Sequence, residues 1–272
     1  MKPVMLFRQD RETYDEIQIA RKYFEVYERR NLIPDNRLVV GRYSVLPYYK
    51  ELEEDLKVKN CLLVDTLHQF NWVANFEYYE QLKDYTFKTW FTPQEIPKDT
   101  EGIVVKGKTN SKKMYWNTKM FAENREIAID IACELRADSM IGQQDIIFRK
   151  YEPLVTYEVG LNGLPFTNEW RLFYYKDTLL TSGYYWSTAD EPELGKITTE
   201  AYQFAQEIAN IAKDYCNFFV LDIAEKQSGG WVLVEVNYGG MSGLSLNDPD
   251  TLYSTLAKAV QIVYTVPLEK DK

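Results

Sequence analysis

Three oxygen-bearing side chains interrupt the apolar segment FFVLDIAEKQSGGWVLVEVNYGG, which spans residues 218–240. Asp222, Glu235 and Asn237 lie in what the pattern predicts to be two strands joined by a polar turn. Because side chains alternate between the faces of a strand, a turn centred between Ser228 and Gly229 would place Asp222 opposite Glu235, with Asn237 on the same face. Two carboxylates at that distance repel unless a cation lies between them or one is protonated. Carboxylate and amide oxygens suit Mg²⁺ or Mn²⁺, so these residues are candidate metal ligands; the alternative is a hairpin face exposed to water.

Lysines cluster in VVKGKTNSKK, residues 104–113, although the chain as a whole is acidic. Lys106 lies within an apolar run predicted to be a strand, where a lysine needs an anionic partner. Lys108, Lys112 and Lys113 surround a short polar loop. A strand lysine beside such a loop can hold the phosphates of a nucleotide. We therefore predict phosphate contacts from Lys106, while Lys112 and Lys113 could equally belong to a solvated loop.

A further charge lies inside an apolar run at Arg171, in the segment NEWRLFYY. An arginine there could stabilise a transferring phosphoryl group or bind a carboxylate substrate. Glu169 lies two positions earlier and on the same face of the predicted strand, so a structural ion pair is the alternative. Residues two apart on one strand are a less natural pair than partners on neighbouring strands. We therefore predict a catalytic role for Arg171.

The composition argues against several classes of protein. The 272-residue chain has a formal net charge of −9, which disfavours a nucleic-acid-binding surface. It contains one histidine, His68, which argues against most zinc sites, and the separated Cys61, Cys133 and Cys216 lie in apolar segments typical of buried, reduced thiols. No apolar run reaches the roughly 18 residues of a membrane span, and the N-terminus lacks a signal-peptide pattern. We therefore expect a soluble, cytoplasmic protein without a membrane partner.

Strand and helix patterns alternate in the first third of the chain. Predicted strands lie near 3–7, 37–41 and 60–65, and the segments TYDEIQIARKYFEVY and LPYYKELEEDL between them have the spacing of helices. This alternation predicts a parallel sheet with right-handed crossovers. Residues 1–90 are thus predicted to form a small Rossmann-like domain, although they contain no G-x-G-x-x-G fingerprint for a dinucleotide.

The pattern changes after the proline-containing connector TWFTPQEIPKDTEG. Two strands are predicted around the polar loop 109–113, followed by a helix in FAENREIAIDIACELRA. A strand in QDIIFRKYEPL, a hairpin in NEWRLFYYKDTLLTSGYYW and a helix over about 199–215 lead to the hairpin that carries Asp222. Asp248 is the predicted N-cap of a last helix. Residues 91–272 therefore form a second predicted domain, and the fold class is α/β (α+β).

Taken in order along the chain, these features resemble those of ATP-grasp enzymes. That superfamily has a Rossmann-like first domain, a strand lysine before a flexible loop, a hinge that binds adenine, a charged strand and a final D…E-x-N metal motif. The matching residues are Lys106 in VVKGKTNSKK, the hinge in IIFRKYEPL, Arg171 in EWRLFYY, and Asp222 with Glu235 and Asn237. The resemblance covers essentially the whole chain, and the order of the motifs is more specific than any one motif.

Within the superfamily, the chain most resembles a bacterial and phage clade named for one characteristic arginine and two lysines. Members of that clade are proposed to join amino or peptide groups in tagging or modification reactions. Arg171 and Lys106 match the arginine and one lysine. The second lysine is Lys108, Lys113 or Lys150.

The resemblance implies an ATP-grasp fold with an N-terminal Rossmann-like pre-ATP-grasp domain, and a nucleotide between the two lobes of residues 91–272. It implies ATP and Mg²⁺ as cofactors, with Mn²⁺ as an alternative metal. The metal ligands would be Asp222, Glu235 and Asn237, and the catalytic residues Arg171 and Lys106. Nucleotide contacts are expected from Lys106, Lys108 and Lys113 and from the hinge residues Phe148, Arg149, Lys150, Tyr151 and Glu152. Arg149 and Lys150 depart from the Gln or Glu that such hinges commonly carry.

The function implied by the resemblance is ATP-dependent ligation of a carboxylate to an amine through an acylphosphate, with an amino acid or a peptide as substrate. The alternatives are a non-catalytic or regulatory ATP-binding protein and an ATP-dependent enzyme that modifies nucleic-acid ends, which the acidic charge disfavours. Four residues, Arg42, Tyr43, His68 and Trp72, together with the loop GGMSGLS, are predicted to line the substrate pocket. The sequence leaves the oligomeric state open.

Overall fold

The structure is a computed structural model that describes residues 2–8, 14–139, 141–187 and 197–264. The fold is mixed α/β, as the sequence predicts. No helix in these ranges has the length and apolarity needed to cross a bilayer.

The first third of the chain forms a parallel sheet with strand order β2-β1-β3-β4. Its elements are β1 (Val4–Phe7), α1 (Tyr14–Tyr23), β2 (Glu25–Tyr27), β3 (Leu38–Arg42), α2 (Tyr49–Lys57), β4 (Leu62–Leu63), α3 (Leu67–Ala74) and α4 (Tyr79–Leu82). The predicted first helix is too long. The observed helix ends at Tyr23, and residues 25–27 pair with β1 as the edge strand β2. The prediction of a parallel sheet is confirmed.

A second sheet is antiparallel and has the order β5-β8-β6-β7. Its elements are β5 (Thr89–Trp90), β6 (Ile103–Gly107), α5 (Trp116–Lys119), β7 (Phe121–Ala122), α6 (Arg125–Arg136) and β8 (Ile146–Lys150). The strand predicted after the lysine-rich loop is wrong, since residues 113–119 form a 3₁₀ turn and then α5. Met114 and Tyr115 are largely exposed there, so they do not supply the buried face of a strand. Cys133 on α6 is also exposed, contrary to expectation, whereas Cys61 and Cys216 are buried and reduced.

The third sheet is antiparallel, has the order β12-β11-β13-β14 and carries the polar hairpin. A separate two-stranded ribbon, β9 (Thr156–Val159) and β10 (Pro165–Thr167), precedes this sheet. The elements that follow are β11 (Glu169–Tyr175), β12 (Thr178–Tyr184), α7 (Thr199–Ala212), β13 (Phe218–Glu225), β14 (Trp231–Tyr238) and α8 (Pro249–Tyr264). The predicted N-cap of α8 is confirmed, because Asp248 accepts a hydrogen bond from the Thr251 amide at 2.9 Å.

The turn between β13 and β14 depends on two glycines. Gly229 and Gly230 have φ values of +93° and +76°, a region that a side chain disfavours. With these residues the chain reverses tightly, and the Lys226 amide donates to the Gly230 carbonyl at 3.0 Å. The register places Asp222 opposite Glu235, as predicted, and a bulge just beyond this pair places Leu233 opposite Ile223.

The hydrophobic core crosses the predicted domain boundary. One cluster joins Val4 and Leu6 of β1 to Leu172 and Leu221 of the third sheet. A second joins other β1 residues to β11, β13 and α8, and α8 also packs against α1. The division at residues 1–90 and 91–272 remains a prediction.

Candidate active site

A pocket lies between the second and third sheets. Its walls come from β6, from the segment after β8 and from β10, β11 and β14, and its lining includes Phe87, Val104, Lys106, Lys113, Arg149, Lys150, Tyr151, Glu152, Glu169 and Glu235. Polar groups from sequence-distant segments therefore meet in one place. The predicted strand lysine, most of the hinge and one predicted metal ligand are among them.

Lys106 of β6 and Glu235 of β14 form a buried ion pair across this pocket. The side chains are 7% and 11% exposed, respectively. Burial lowers the pKa of Lys106 despite its anionic partner. Burial would raise the pKa of Glu235, but Lys106, Lys113 and Arg149 outweigh it and hold that pKa below its usual range. Glu235 is consequently an ionised carboxylate.

Arg171 of β11 binds Asp222 of β13 with two parallel hydrogen bonds, each 2.8 Å long. The strands pair so that these two residues lie directly opposite each other. Burial works against the charge of Arg171, but Asp222 more than compensates and raises the pKa of the guanidinium. Asn237 completes the group by donating from Nδ2 to Asp222 Oδ2 at 2.9 Å. The cross-strand partner of Arg171 is therefore Asp222, and no ion pair joins Arg171 to Glu169 in the described chain.

The predicted loop lysines occupy different environments. Lys113 is inside the site, where its ammonium contacts the Tyr185 hydroxyl and lies 4.2 Å from the centre of that ring. Lys108 instead pairs with the exposed Asp145 at 2.8 Å, and Lys112 pairs with Asp138 at 2.7 Å. Of the three, only Lys113 lines the pocket that holds Lys106. The nucleotide contact of Lys108 stays a prediction without support from this geometry.

The hinge residues divide between the pocket and the core. Lys150, Tyr151 and Glu152 line the pocket, whereas the side chain of Phe148 belongs to the core beneath α6. Arg149 also borders the pocket, but its guanidinium points across it and donates to the Val234 carbonyl and to Thr86. Arg149 thus binds β14 at the residue before Glu235 and helps to position that carboxylate. The sequence position of Arg149 gave no indication of this contact.

Glu169 is a pocket residue that the sequence analysis considered only as a partner for Arg171. It is 3% exposed, its Oε2 accepts from the Thr167 hydroxyl at 3.2 Å, and its Oε1 has no partner. Burial, with Asp222 and Glu235 nearby, raises the pKa of Glu169 to about 7. The sequence feature that could have identified Glu169 as a pocket residue is its position on the same strand face as Arg171.

A larger cleft of about 1250 Å³ adjoins this pocket, and Ser111, Lys113 and Glu235 line both. It extends from Arg171 and Asn237 toward the N-terminal sheet. Its other lining residues include Ser44, Tyr48, Asn75, Asn110, Gln143, Tyr185 and Ser242. The site therefore has a first pocket and a second cleft that meet at Glu235.

The predicted substrate residues are only partly placed at this cleft. Met241, Ser242 and Gly243 of the GGMSGLS loop line it. Arg42 lies beneath that loop, where it donates to the Gly239 carbonyl at 3.1 Å and pairs with Glu16 at 2.7 Å. None of the four predicted residues lines the cleft, which corrects that part of the prediction. Besides Arg42, Tyr43 borders a separate cavity, His68 lies at the start of α3, and Trp72 stacks on Tyr215 in the core.

The donor set around Asp222 can hold a divalent cation. Two buried carboxylates and the Asn237 amide converge, and such oxygen ligands suit Mg²⁺. In the described ranges no group of three or more His, Cys, Asp or Glu side chains is arranged for a metal ion. A metal at this position would therefore take its remaining ligands from phosphate groups or water, as Mg²⁺ usually does. Lys106 and Arg171 neutralise the two carboxylates in its place.

Comparisons with known proteins give a family match and several structures with the same fold. The profile of a family described as ATP-grasp domain, R2K clade family 3, matches residues 94–256. No curated protein sequence matches the chain significantly.

Several solved structures share the fold at low sequence identity. D-cycloserine synthetase DcsG has a TM-score of 0.61 and 13% identity, covering 95% of this chain and 99% of that one. ATP-grasp ligase PsnB, complexed with a minimal precursor, Mg and ADP, has a TM-score of 0.59 and 10% identity, covering 95% and 98%. Macrocyclase MdnC from Microcystis aeruginosa, bound with precursor peptide MdnA, has a TM-score of 0.54 and 11% identity, covering 95% and 98%.

Proposed function

The chain belongs to the ATP-grasp domain family, R2K clade family 3, and from this membership we propose that it is an ATP- and Mg²⁺-dependent ligase that joins a carboxylate to an amine. The membership confirms the superfamily, the fold and the enzyme class, an ATP-dependent ligase, that the sequence predicts. The metal, the acylphosphate and the substrates belong to the proposal.

The observation that carries the proposal is the pair of buried ion pairs at the junction of the two pockets. Lys106 and Glu235 line the first pocket, and Arg171, paired with Asp222, lines the adjoining cleft, so two cations and two carboxylates meet where the two cavities join. Buried charges of this kind are maintained only when each has a partner. A magnesium-bound nucleotide would supply new partners for all four, because its phosphates match the cations and its metal matches the carboxylates.

Each residue then has a defined task. Asp222, Glu235 and Asn237 would hold Mg²⁺, which neutralises charge on the β- and γ-phosphates when it is bound. Lys106 would bind the phosphates, and Arg171 would stabilise the charge that develops on the transferred γ-phosphoryl group. Lys113 lies close enough to Glu235 and Glu169 to add positive charge at the same place. Lys150, Tyr151 and Glu152 would contact the base.

The reaction needs no protein nucleophile. An oxygen of the substrate carboxylate attacks the γ-phosphorus, the bond to the β-phosphate oxygen breaks, and an acylphosphate and ADP result. An amine then attacks the acyl carbon, and phosphate leaves as the amine loses a proton. The contribution of the protein is to position the groups and to stabilise charge, which matches a site made of lysine, arginine and carboxylate side chains.

The cleft beside the phosphate groups is the proposed acceptor site. Its volume of about 1250 Å³ exceeds the usual 300–1,000 Å³ of a small-molecule pocket. A peptide, or an amino acid together with a second substrate, would fit it. Solved relatives with this fold include one named for a small-molecule synthesis and one bound to a precursor peptide.

A turnover assay tests the proposal. With ATP, Mg²⁺ and a mixture of peptides and amino acids, we expect ADP release that depends on the mixture. Glu235→Gln should reduce it roughly 100-fold or more, since it removes a charge that acts at the phosphates. The matched control Glu207→Gln changes an exposed glutamate of α7 and should leave turnover unchanged.

Two results would contradict the assignment. Equal turnover in Glu235→Gln and the wild type would remove Glu235 from the site. ATP binding without ADP release from any substrate mixture would instead favour the alternative of a regulatory ATP-binding protein.

A further inference from the structure

A second cavity, of about 280 Å³, lies at the carboxyl edge of the N-terminal sheet. Arg8 follows β1, Glu28, Arg29 and Arg30 follow β2, and Tyr43 follows β3. The chain runs from β1 to β2 on one side and then returns to place β3 on the other. In open α/β sheets, ligands bind outside the carboxyl ends of the strands at such a reversal of strand order.

The cavity is positively charged in an acidic protein. Its lining contains three arginines and one carboxylate, Glu28, whereas the whole chain carries −9. Arg30 is paired with Asp55 at 2.7 Å, and Glu28 is paired with Arg21 at 3.0 Å. In the part of the chain that the structure describes, neither Arg8 nor Arg29 forms an ion pair. Among the described residues, two guanidinium groups at the cavity thus carry no paired carboxylate.

The Tyr43 hydroxyl is the second indication of a ligand. It is buried and has no hydrogen-bond partner, although most buried polar groups have one. The Arg8 guanidinium lies 4.6 Å from the centre of the Tyr43 ring and so holds that ring at the cavity. Tyr43 lines the cavity, and its hydroxyl is a hydrogen-bond donor that has no partner among the described residues.

We propose that this cavity binds an oxyanion, a carboxylate or a phosphate group, through the Tyr43 hydroxyl and the guanidinium groups of Arg8 and Arg29. Arginine binds both groups with paired hydrogen bonds. An ordinary solvated surface would explain the arginines, but it would not explain a buried hydroxyl without a partner beside them. Glu28 opposes anion binding, but its pairing with Arg21 reduces that effect.

The cavity and the acceptor cleft share no lining residue, although Tyr43 of the cavity is followed directly by Ser44 of the cleft. Anion binding in the cavity does not depend on the proposed ligase function.

Calorimetric titration of the full chain with inorganic phosphate, and separately with succinate, tests the proposal. A non-hydrolysable ATP analogue and Mg²⁺ are present at saturation, so that the phosphate subsite of the nucleotide pocket is occupied. We expect saturable binding of at least one anion, and the tighter one identifies the group as phosphate or carboxylate. Tyr43→Phe, which keeps the ring, and Arg8→Gln should each raise Kd roughly tenfold.

The matched controls are Tyr157→Phe and Arg136→Gln, which alter an exposed tyrosine and an exposed arginine elsewhere. Both should bind like the wild type. The absence of saturable binding of both anions would overturn the proposal, and so would unchanged affinity in Tyr43→Phe and Arg8→Gln. Turnover is not measured, so this outcome is independent of whether the ligase function is correct.

Discussion

Glu169 has a buried carboxyl group with an unpartnered oxygen, an arrangement that lowers the stability of a folded protein unless a ligand binds there. Its carboxyl group is buried, one oxygen has no partner, and its pKa is raised to about 7 from 4.5. Glu169 lines the pocket that also holds Lys106 and Glu235. An acceptor in this position suits a donor group on the bound nucleotide, and until one binds, Glu169 lowers stability at neutral pH.

This cost gives a pH-dependent prediction. Between pH 4.5 and about 7 the folded chain binds more protons at Glu169 than the unfolded chain does, so the free energy of unfolding falls as pH rises through this window. The fall is up to about 3 kcal/mol at roughly 1.36 kcal/mol per unit. Glu169→Gln lacks the titrating group, so the wild type should lose stability relative to this variant as pH rises. Urea unfolding from pH 4.5 to 8 measures both curves.

The control for this comparison is Glu158→Gln, which changes an exposed carboxylate on β9. Its stability curve should run parallel to that of the wild type. Parallel curves for Glu169→Gln as well would mean that Glu169 does not titrate in this range.

The sequence predicted some features of the site better than others. The opposition of Asp222 and Glu235 was predictable because strand alternation and one tight turn determine it. The ion pairs were not, since Lys106 and Glu235 are 129 positions apart and Arg171 and Asp222 are 51 apart. Local patterns do not contain the sheet order that brings such residues together.

Among the elements, the start of β13 is held by a residue from the N-terminal sheet. Asp65, just after β4, is completely buried and accepts hydrogen bonds from the amides of Asn217, at 2.6 Å, and Phe218, at 3.3 Å. Burial raises the pKa of Asp65 to about 6, although these amides oppose the rise. The strand that carries Asp222 thus begins at a contact with the first third of the chain.

Removing this carboxylate should destabilise the protein. Asp65→Ala leaves two backbone donors without their acceptor, and each such buried donor costs about 1–3 kcal/mol. We expect the free energy of unfolding at pH 7 to fall by that amount for each donor, as measured by urea denaturation. Asp130→Ala, on the exposed face of α6, is the control and should change stability little. A loss as small as that of the control would show that water replaces the carboxylate.

Element boundaries were predictable where an apolar pattern was long. Strands β11 and β13 and helix α6 follow it closely, and both hairpins around them were predicted. Strand β2 was missed because its three residues have no buried face and pair only at the edge of the sheet. Short elements of this kind owe their conformation to a neighbouring strand rather than to their own sequence.

At the scale of the whole molecule, the two predicted domains share their cores. Strand β1 contributes Val4 and Leu6 to one shared cluster and Met5 and Phe7 to the other. Backbone contacts also cross the boundary, since the Leu233 amide donates to the Tyr85 carbonyl at 2.8 Å. Neither part keeps a complete core without the other.

We therefore expect the chain to unfold as one cooperative unit. Native-state hydrogen exchange should give amides of β1 and β13 the same free energy of opening, because both strands lose their packing together. A fragment of residues 1–90 should lack protected amides. A lower opening free energy for β1 alone, or a folded fragment, would show that the N-terminal part is stable by itself.

The fold class was predictable because it depends on the alternation and order of elements, which the residue pattern contains. Solved structures with 10–13% identity share the fold over 95% of this chain, so that pattern tolerates nearly complete replacement of residues. The packing of α8 against α1 was not predictable, since it joins opposite ends of the chain.

The Lys106–Glu235 pair has a kinetic consequence. It connects β6 of one sheet to β14 of another, and these sheets form opposite walls of the proposed nucleotide pocket. We expect a phosphate group that binds the ammonium to displace the carboxylate in part, which requires the walls to move apart. Association that waits for such a movement is slower than diffusional encounter. We therefore expect the ion pair to act as a latch that slows nucleotide entry.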